Sequence, residues 1–348
     1  VFPRRASSPA KWCWAALVLA ATTAAAEPPV ALHVGSLIVA PAHLPPVFVT
    51  AKNPGAVAYQ GTLTIAGPEG WTFKPPQIEV ALGPGQSRRV AFTVTKGKRN
   101  EANRYPLTVA ATGAGQTVTR RQEVACTSAP YFKPTIDGDP ADWKDAIPVS
   151  FTTAGKKTVI RTFWNRRQLA LLVAIEEDKL VAPGDTGPFD AVQLAISPQD
   201  TATGTSADGE ATRYEFLLAG DAKAAKCYLL AEVGTKLAET QKQRELAPLA
   251  YEYAEVAMSR EDNTTYYECA IPFKLMRSEI RPSEGREFCL SLLVHDPDGT
   301  GVRDWGAAAG LQESQRNRLA WSLWKGARWA DKPPLDNKTP WGLCSSKY

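Results

Sequence analysis

The chain has 348 residues, 22% charged and 44% hydrophobic, with 25 Gly and 27 Pro; this suits about two packed domains and excludes a fibre. Its formal charge of +4 comes from 40 basic and 36 acidic residues, without the clustered basic run that nucleic-acid binding by counter-ion release requires. Three histidines, His33, His43 and His295, leave little material for multi-histidine metal sites or histidine-based proton transfer.

In chain order, the first predicted feature is a leader over residues 1–26. Arg4, Arg5 and Lys11 precede an apolar stretch from Trp12 to Ala26 that ends in small residues before Glu27-Pro28-Pro29. A basic region, an apolar region and small residues in that order have the form of a secretory signal peptide, which places the mature protein outside the cell or in the periplasm. The stretch falls short of the roughly 18 to 20 apolar residues a spanning helix needs, and no membrane span is expected after leader removal. Without the three leader cations, 37 basic residues face 36 acidic ones. Beyond Cys13 the cysteines are Cys126, Cys227, Cys269, Cys289 and Cys344. Their wide spacing matches no zinc pattern and an odd number cannot all pair internally, so they are expected as buried apolar side chains with no bridge assigned.

Residues 28–126 predict an antiparallel sandwich. Short alternating runs (Val47 to Lys52, Thr62 to Ala66, Ile78 to Leu82, Arg88 to Thr95, Tyr105 to Ala111, Gln116 to Val124) are separated by turn clusters such as Asn53-Pro54-Gly55 and Gly83-Pro84-Gly85. Trp71, after a glycine turn, is expected to plug one end of that core. The motifs Lys52-Asn53-Pro54-Gly55, Gly70-Trp71 and Leu82-Gly83-Pro84-Gly85-Gln86-Ser87 resemble those of bacterial Ig-like domains appended to secreted sugar-active proteins, which implies a spacer or docking module.

After a connector from Thr127 to Pro134, residues 131–325 predict a second, larger sandwich. Ile136-Asp137-Gly138-Asp139-Pro140-Ala141-Asp142-Trp143 reads as a turn capped by Asp139, with Pro140 at the first helical position and Trp143 delivered inward. Nine strands follow, at Thr158 to Trp164, Gln168 to Ile175, Phe189 to Ser197, Arg213 to Ala219, Lys226 to Val233, Tyr251 to Met258, Thr265 to Ile271, Glu287 to His295 and Arg318 to Trp324, with a short helix around Phe273 to Ser278. The fold class is therefore all-β, two antiparallel sandwiches in sequence, with an extended tail over 326–348.

Strand alternation splits each segment into two faces. With Val192, Leu194 and Ile196 inward, Phe189 and Gln193 face out; Arg213 and Glu215 oppose Tyr214 and Phe216; His295 and Ser291 oppose Leu292 and Val294; Glu268 opposes Tyr267 and Cys269. Such a floor of amide, carboxylate and guanidinium groups suits a polyhydroxylated ligand, with Phe189 and Trp305 placed to stack as rim rings. The bland alternative is an ordinary solvated sheet face.

Ile136-Asp137-Gly138 with Asp142-Trp143, then Trp164, Phe189-Asp190-Ala191-Val192-Gln193, Tyr267-Glu268-Cys269-Ala270-Ile271-Pro272-Phe273 and His295-Asp296-Pro297-Asp298-Gly299 resemble, in order and spacing, the family 9 carbohydrate-binding module. The resemblance covers roughly Tyr131 to Lys325. It implies a glycan-binding sandwich, often attached to secreted glycoside hydrolases, that grips sugar units between two aromatic rings and holds structural calcium in some members. This chain departs from the pattern at Gln193, where an acidic residue is common, at Phe189 in place of tryptophan, and at His295 in place of asparagine. Phe189, Gln193, Arg213, Glu215, His295 and Trp305 are the candidate carbohydrate-binding residues, and oligo- or polysaccharide the expected partner.

Asp296, Asp298 and Asp304 offer hard oxygen ligands for calcium, and Asp185 and Asp190 around Gly187-Pro188 share that character. No nucleophile elbow, zincin, phosphate-loop or dinucleotide fingerprint occurs, and two sandwiches without a helical scaffold offer no evident cleft for facing carboxylates, so the expectation is non-catalytic. Met258, Met276 and His295 are the candidate axial ligands for an alternative haem-binding sandwich. A further alternative is a structural or adhesion module that assembles with an envelope protein partner, with Trp321, Trp324, Trp329 and Trp341 of the tail as contact residues.

Overall fold

The computed structural model describes residues 28–113, 115–184, 187–198, 209–221, 223–236, 244–310, 319–321, 326–329 and 339–344. The expected leader, Asp185, Trp324 and the Pro333-Pro334 segment lie outside them. The protein is all-β, built as two successive sandwiches. Among the described residues no helix is long and apolar enough to cross a membrane.

The first sandwich comprises β1 (Ala31–Val34), β2 (Pro46–Lys52), β3 (Tyr59–Ala66), β4 (Thr72–Lys74), β5 (Gln77–Leu82), β6 (Ser87–Lys96), β7 (Tyr105–Gly113) and β8 (Gln116–Val124). They form two four-stranded sheets, β1-β2-β6-β4 and β5-β3-β7-β8. On β6 the alternation is explicit: Val90, Phe92 and Val94 are buried while Arg89, Ala91 and Thr93 are exposed. Trp71 packs on Phe73 and Tyr105 with ring centroids 6.1 and 5.3 Å apart, against the core as the sequence suggests.

The second sandwich uses β9 (Ser128–Pro130), β10 (Val149–Thr153), β11 (Lys156–Trp164), β12 (Gln168–Glu176), β13 (Ala191–Pro198), β14 (Tyr214–Ala219), β15 (Lys226–Ala231), β16 (Arg244–Glu245), β17 (Glu255–Glu261), β18 (Thr264–Pro272), β19 (Glu287–Asp296), β20 (Gly301–Asp304), β21 (Leu319–Trp321), β22 (Gly326–Trp329) and β23 (Thr339–Cys344). One sheet runs β10-β11-β12-β18-β17, the other β15-β14-β13-β19-β23-β9 with β20 on β19, and β16-β22-β21 form a small third sheet. Among the described residues the strands of this sandwich pair antiparallel, except β23 with β9. The core between the two large sheets includes Leu171, Val173, Leu194, Phe216, Tyr267, Leu292 and Trp341.

Two segments assigned by sequence to connector and tail, β9 and β23, complete the seven-stranded sheet. Trp341 is fully buried and its indole N–H donates to Thr162 Oγ1 at 2.9 Å. The expected strand from Tyr251 begins only at Glu255, since Tyr251 to Tyr253 form a turn. All five described cysteines are buried.

The two sandwiches meet through buried polar contacts. The Asn103 amide donates to the carbonyls of Cys126 and Pro148 at 2.9 Å each and accepts from the Cys126 N–H. Gln122 donates to the carbonyls of Val34 and Ala309, and Ile147 of the second domain sits in the first domain's core. Gly310 approaches Gln122 so closely at φ +86° that a Cβ would lie 2.8 Å from the amide carbon, so glycine is required there. These buried hydrogen bonds hold the first domain against the second, where a flexible spacer would leave exposed linker.

Candidate functional site: a carboxylate cluster and a covered sheet face

Antiparallel register brings the expected binding residues of β13, β14 and β19 together. Ala191 pairs with His295, Ala195 with both Ser291 and Glu215, and Gln193 with Leu293 and Leu217. Side chains on this face therefore converge: Gln193 Nε2 donates to Glu215 Oε2 at 2.8 Å, His295 Nε2 lies 3.0 Å from Gln193 Oε1, and Arg213 Nε pairs with Glu215 Oε1 at 2.7 Å. With the amide NH2 turned to Glu215, the imidazole donates from Nε2.

This floor is not open to a ligand. Gln193, Arg213, Glu215 and His295 are each 2% exposed or less. Phe189, at 6% exposure, sits in an apolar cluster with Ala191, Leu217, Ala219, Tyr228, Leu230 and Leu246, against which Val181, Leu249 and Ala250 pack. The chain's own residues cover the face that the sequence left to solvent. Trp305 departs further: it follows β20 into the core between the sheets, 4% exposed, with its ring 5.7 Å from Phe151. The two nominated rings thus lie on opposite faces of the seven-stranded sheet and cannot flank one sugar. Glu268 belongs to the other sheet, so it shares no floor with Gln193.

Glu268 has a structural task. Fully buried, it accepts the Trp143 indole N–H at 2.9 Å and the backbone N–H groups of Asp137 and Gly138 at 3.1 and 2.9 Å, closing the Asp-Gly turn over the five-stranded sheet. Pro140–Trp143 forms the expected single helical turn, of 3-10 geometry, capped by Asp139 on Ala141 N–H at 2.9 Å. Burial raises the Glu268 carboxyl, against the lowering effect of these three donors. Glu268→Gln turns an NH2 toward N–H donors and is expected to cost about 2 kcal/mol, read as a lower denaturant midpoint with an unchanged m value.

At one end of the sandwich the acidic loop residues do converge. Asp190, Asp296 and Asp298 place a carboxylate oxygen each within 4.8 Å of one another. Asp304 stands apart, capping the short helix Trp305–Ala308 through Ala307 N–H at 3.2 Å; Asp190 takes the place expected for it. Asp296 is held by Thr300 N–H and Oγ1 at 2.9 and 2.8 Å and by Arg303 Nη2 at 2.8 Å. Burial acts to raise its carboxyl, but these donors hold it below the ordinary aspartate value. Lys179 Nζ neutralises the more exposed Asp298 at 2.8 Å.

Asp190 is different. It is 1% exposed, its Oδ1 has no hydrogen-bond partner, and burial, with Glu177, Asp298 and Asp296 nearby, pushes its carboxyl up to about 7 against one backbone N–H from Val181. Two further buried oxygens beside the cluster are also unpartnered, Glu177 Oε2 and Tyr267 Oη. Gly299 leaves room for the Asp296 carboxylate, since a Cβ there would fall 2.4 Å from Oδ1. Among the described residues the convergent group is made of three carboxylates alone, an oxygen set of the kind a hard divalent cation takes, with Glu177 and Tyr267 close enough to act on it electrostatically. Sequence reasoning missed Glu177 and Tyr267. The available signal was register: Leu171, Val173 and Ile175 point inward, and Glu177 continues that face.

The three candidate haem ligands do not converge. Met258 and Met276 lie in the core between the sheets, while His295 points from the opposite face of β19 toward Gln193.

In comparisons with known proteins, residues 47–113 match the family model described as the NPCBM-associated, NEW3 domain of alpha-galactosidase. No curated protein matches the chain. Among solved structures, a family 9 carbohydrate-binding module from Caldicellulosiruptor kristjanssonii in complex with cellotriose aligns at 12% identity and TM-score 0.41, over 63% of this chain and 94% of that one. The same module with glucose aligns at 10% identity and TM-score 0.39, over 63% and 95%. The YadV chaperone aligns at 10% identity and TM-score 0.22, over 79% and 97%. The chain is thus similar in its first domain to the NEW3 domain of alpha-galactosidase, and its likeness among solved structures includes family 9 carbohydrate-binding modules.

Proposed function

We propose that this protein is an exported, non-catalytic carbohydrate-binding protein whose second sandwich is stabilised by calcium at Asp190, Asp296 and Asp298, and that it serves glycan capture or degradation. The observation that carries the reading is the joining of two domains of sugar-active character: residues 47–113, matching the NEW3 domain of alpha-galactosidase, are fixed by buried contacts to a sandwich with family 9 motifs in order. Arg4, Arg5, Lys11 and the apolar stretch after them support export. The calcium would be held by the three aspartates with Glu177 and Tyr267 beside them; it would supply charge neutralisation and rigidity to the loop ends, and the chain's own role is to bury and orient those oxygens.

The test is a glycan array with the full mature chain, followed by calorimetry on each bound saccharide and chromatography of the mixture. The expected outcome is saturable binding without cleavage products. A second reading, a structural module that docks an envelope protein, is favoured by the covering of the polar sheet face. It would be supported by a silent array together with a saturable protein partner, and that result would overturn the carbohydrate reading.

A further inference from the structure

Away from the closed sheet face the molecule carries an open aromatic cleft. Tyr131, where the connector enters the second sandwich, is 45% exposed. It forms a parallel bridge with Trp164, and the Phe132 N–H donates to the Trp164 carbonyl at 2.9 Å. Its ring meets the buried Trp164 indole edge-on, with centroids 5.0 Å apart and planes at 85°. The indole is itself anchored by a 2.8 Å hydrogen bond to the Cys344 carbonyl. A ring supported this way is a fixed platform, so stacking on it costs little side-chain entropy.

Tyr131 lines a cleft of about 830 Å³ with Trp164, Arg166, Arg281, Ser283 and Glu284. Among the described residues neither guanidinium, of Arg166 or of Arg281, has a hydrogen-bond or ion-pair partner. Arg281 is held at φ +27°, a backbone conformation costly to any residue but glycine. Two planar cations without partners beside an exposed ring are complementary to a ligand carrying both a carboxylate and an apolar C–H face.

We propose that this cleft binds an acidic oligosaccharide, with a uronate carboxylate paired to Arg166 and Arg281 and the sugar ring stacked on Tyr131. Ser283 and Glu284 supply hydrogen-bonding groups for the hydroxyls. The proposal rests on the carbohydrate-binding reading and places the ligand outside the seven-stranded sheet face.

The experiment is calorimetry on the full mature chain with trigalacturonate, cellotriose and triglutamate. Trigalacturonate is expected to bind, cellotriose and triglutamate at least tenfold more weakly. The double variant Arg166→Ala, Arg281→Ala, at exposed positions, should weaken trigalacturonate at least tenfold with an unchanged melting temperature. Tyr131→Phe should keep affinity and Tyr131→Ala should lose it. Cellotriose binding as well as trigalacturonate would overturn the acidic class, and equal triglutamate binding would reduce the cleft to bare charge attraction. If a saccharide binds but the cleft variants leave its affinity unchanged, the proposal falls and the carbohydrate-binding function stands. If no saccharide of any class binds, both fall.

Discussion

Adding calcium to the chelated protein at pH 8 is expected to raise its melting temperature by about 5 to 10 °C at a hundredfold excess over Kd. Asp190 sets the size and the pH dependence of that gain. Its carboxyl is raised from 3.8 to about 7, chiefly by burial. In the folded, chelated protein the proton is therefore held where the unfolded chain would release it. The resulting stability is fully present below pH 3.8 and is lost as pH rises through about 7. Calcium needs the ionised form, so the calcium-induced rise should be largest above pH 7 and shrink toward pH 5. Asp190→Asn should abolish the rise, yet in chelator at pH 8 it should be at least as stable as the parent, because it removes a buried charge. Scanning calorimetry in calcium and in chelator reads all three; an equal calcium response from parent and variant would exclude Asp190 as a ligand.

Arg303→Met is expected to lower stability by about 3 to 5 kcal/mol, a larger cost than any other single change considered for this sandwich. Arg303 is fully buried and ties the two large sheets at the carboxylate end. From β20 its Nη2 reaches the Glu176 carbonyl of β12 at 2.7 Å and Asp296 at 2.8 Å, while Nη1 lies 3.2 Å from Thr158 Oγ1 of β11. Methionine fills much of the volume but leaves the Asp296 carboxylate buried without its cation and the Glu176 carbonyl without its donor. Equilibrium denaturation measures the loss, and saturating calcium should recover part of it by supplying the missing positive charge. A change below about 1 kcal/mol would mean that solvent reaches this end and pairs these oxygens.

Much of the second sandwich was legible because period-2 patterning is a local signal. The inward sets Val192, Leu194 and Ile196 and Tyr267, Cys269 and Ile271 are found in the core. What misled was the inference from facing outward to being wet. Phe216-Leu217-Leu218-Ala219 and Leu292-Leu293-Val294 are continuous apolar runs, the mark of strands buried on both faces, and Leu217 indeed lies in the second apolar cluster. Trp305 was misplaced because alternation describes strands and not the helical turn that begins at Trp305 and swings its ring into the core. Asp296 and Asp298 were visible as an oxygen-rich turn, whereas Asp190 and Glu177 join them only through the closing of distant strand ends.

By itself the sequence determined the all-β class, the two-domain order, the main strands with their inward faces, and the capped turn at Asp139 to Trp143, since each depends on residues close together in the chain. Tertiary structure alone decided which sheet each strand joined, that β23 completes a sheet begun more than 200 residues earlier at β9, and that the polar floor is sealed. It also decided which carboxylates meet. Those outcomes depend on long-range pairing, in which chain segments compete to cover the same apolar surface, and a local pattern carries no record of which segment wins.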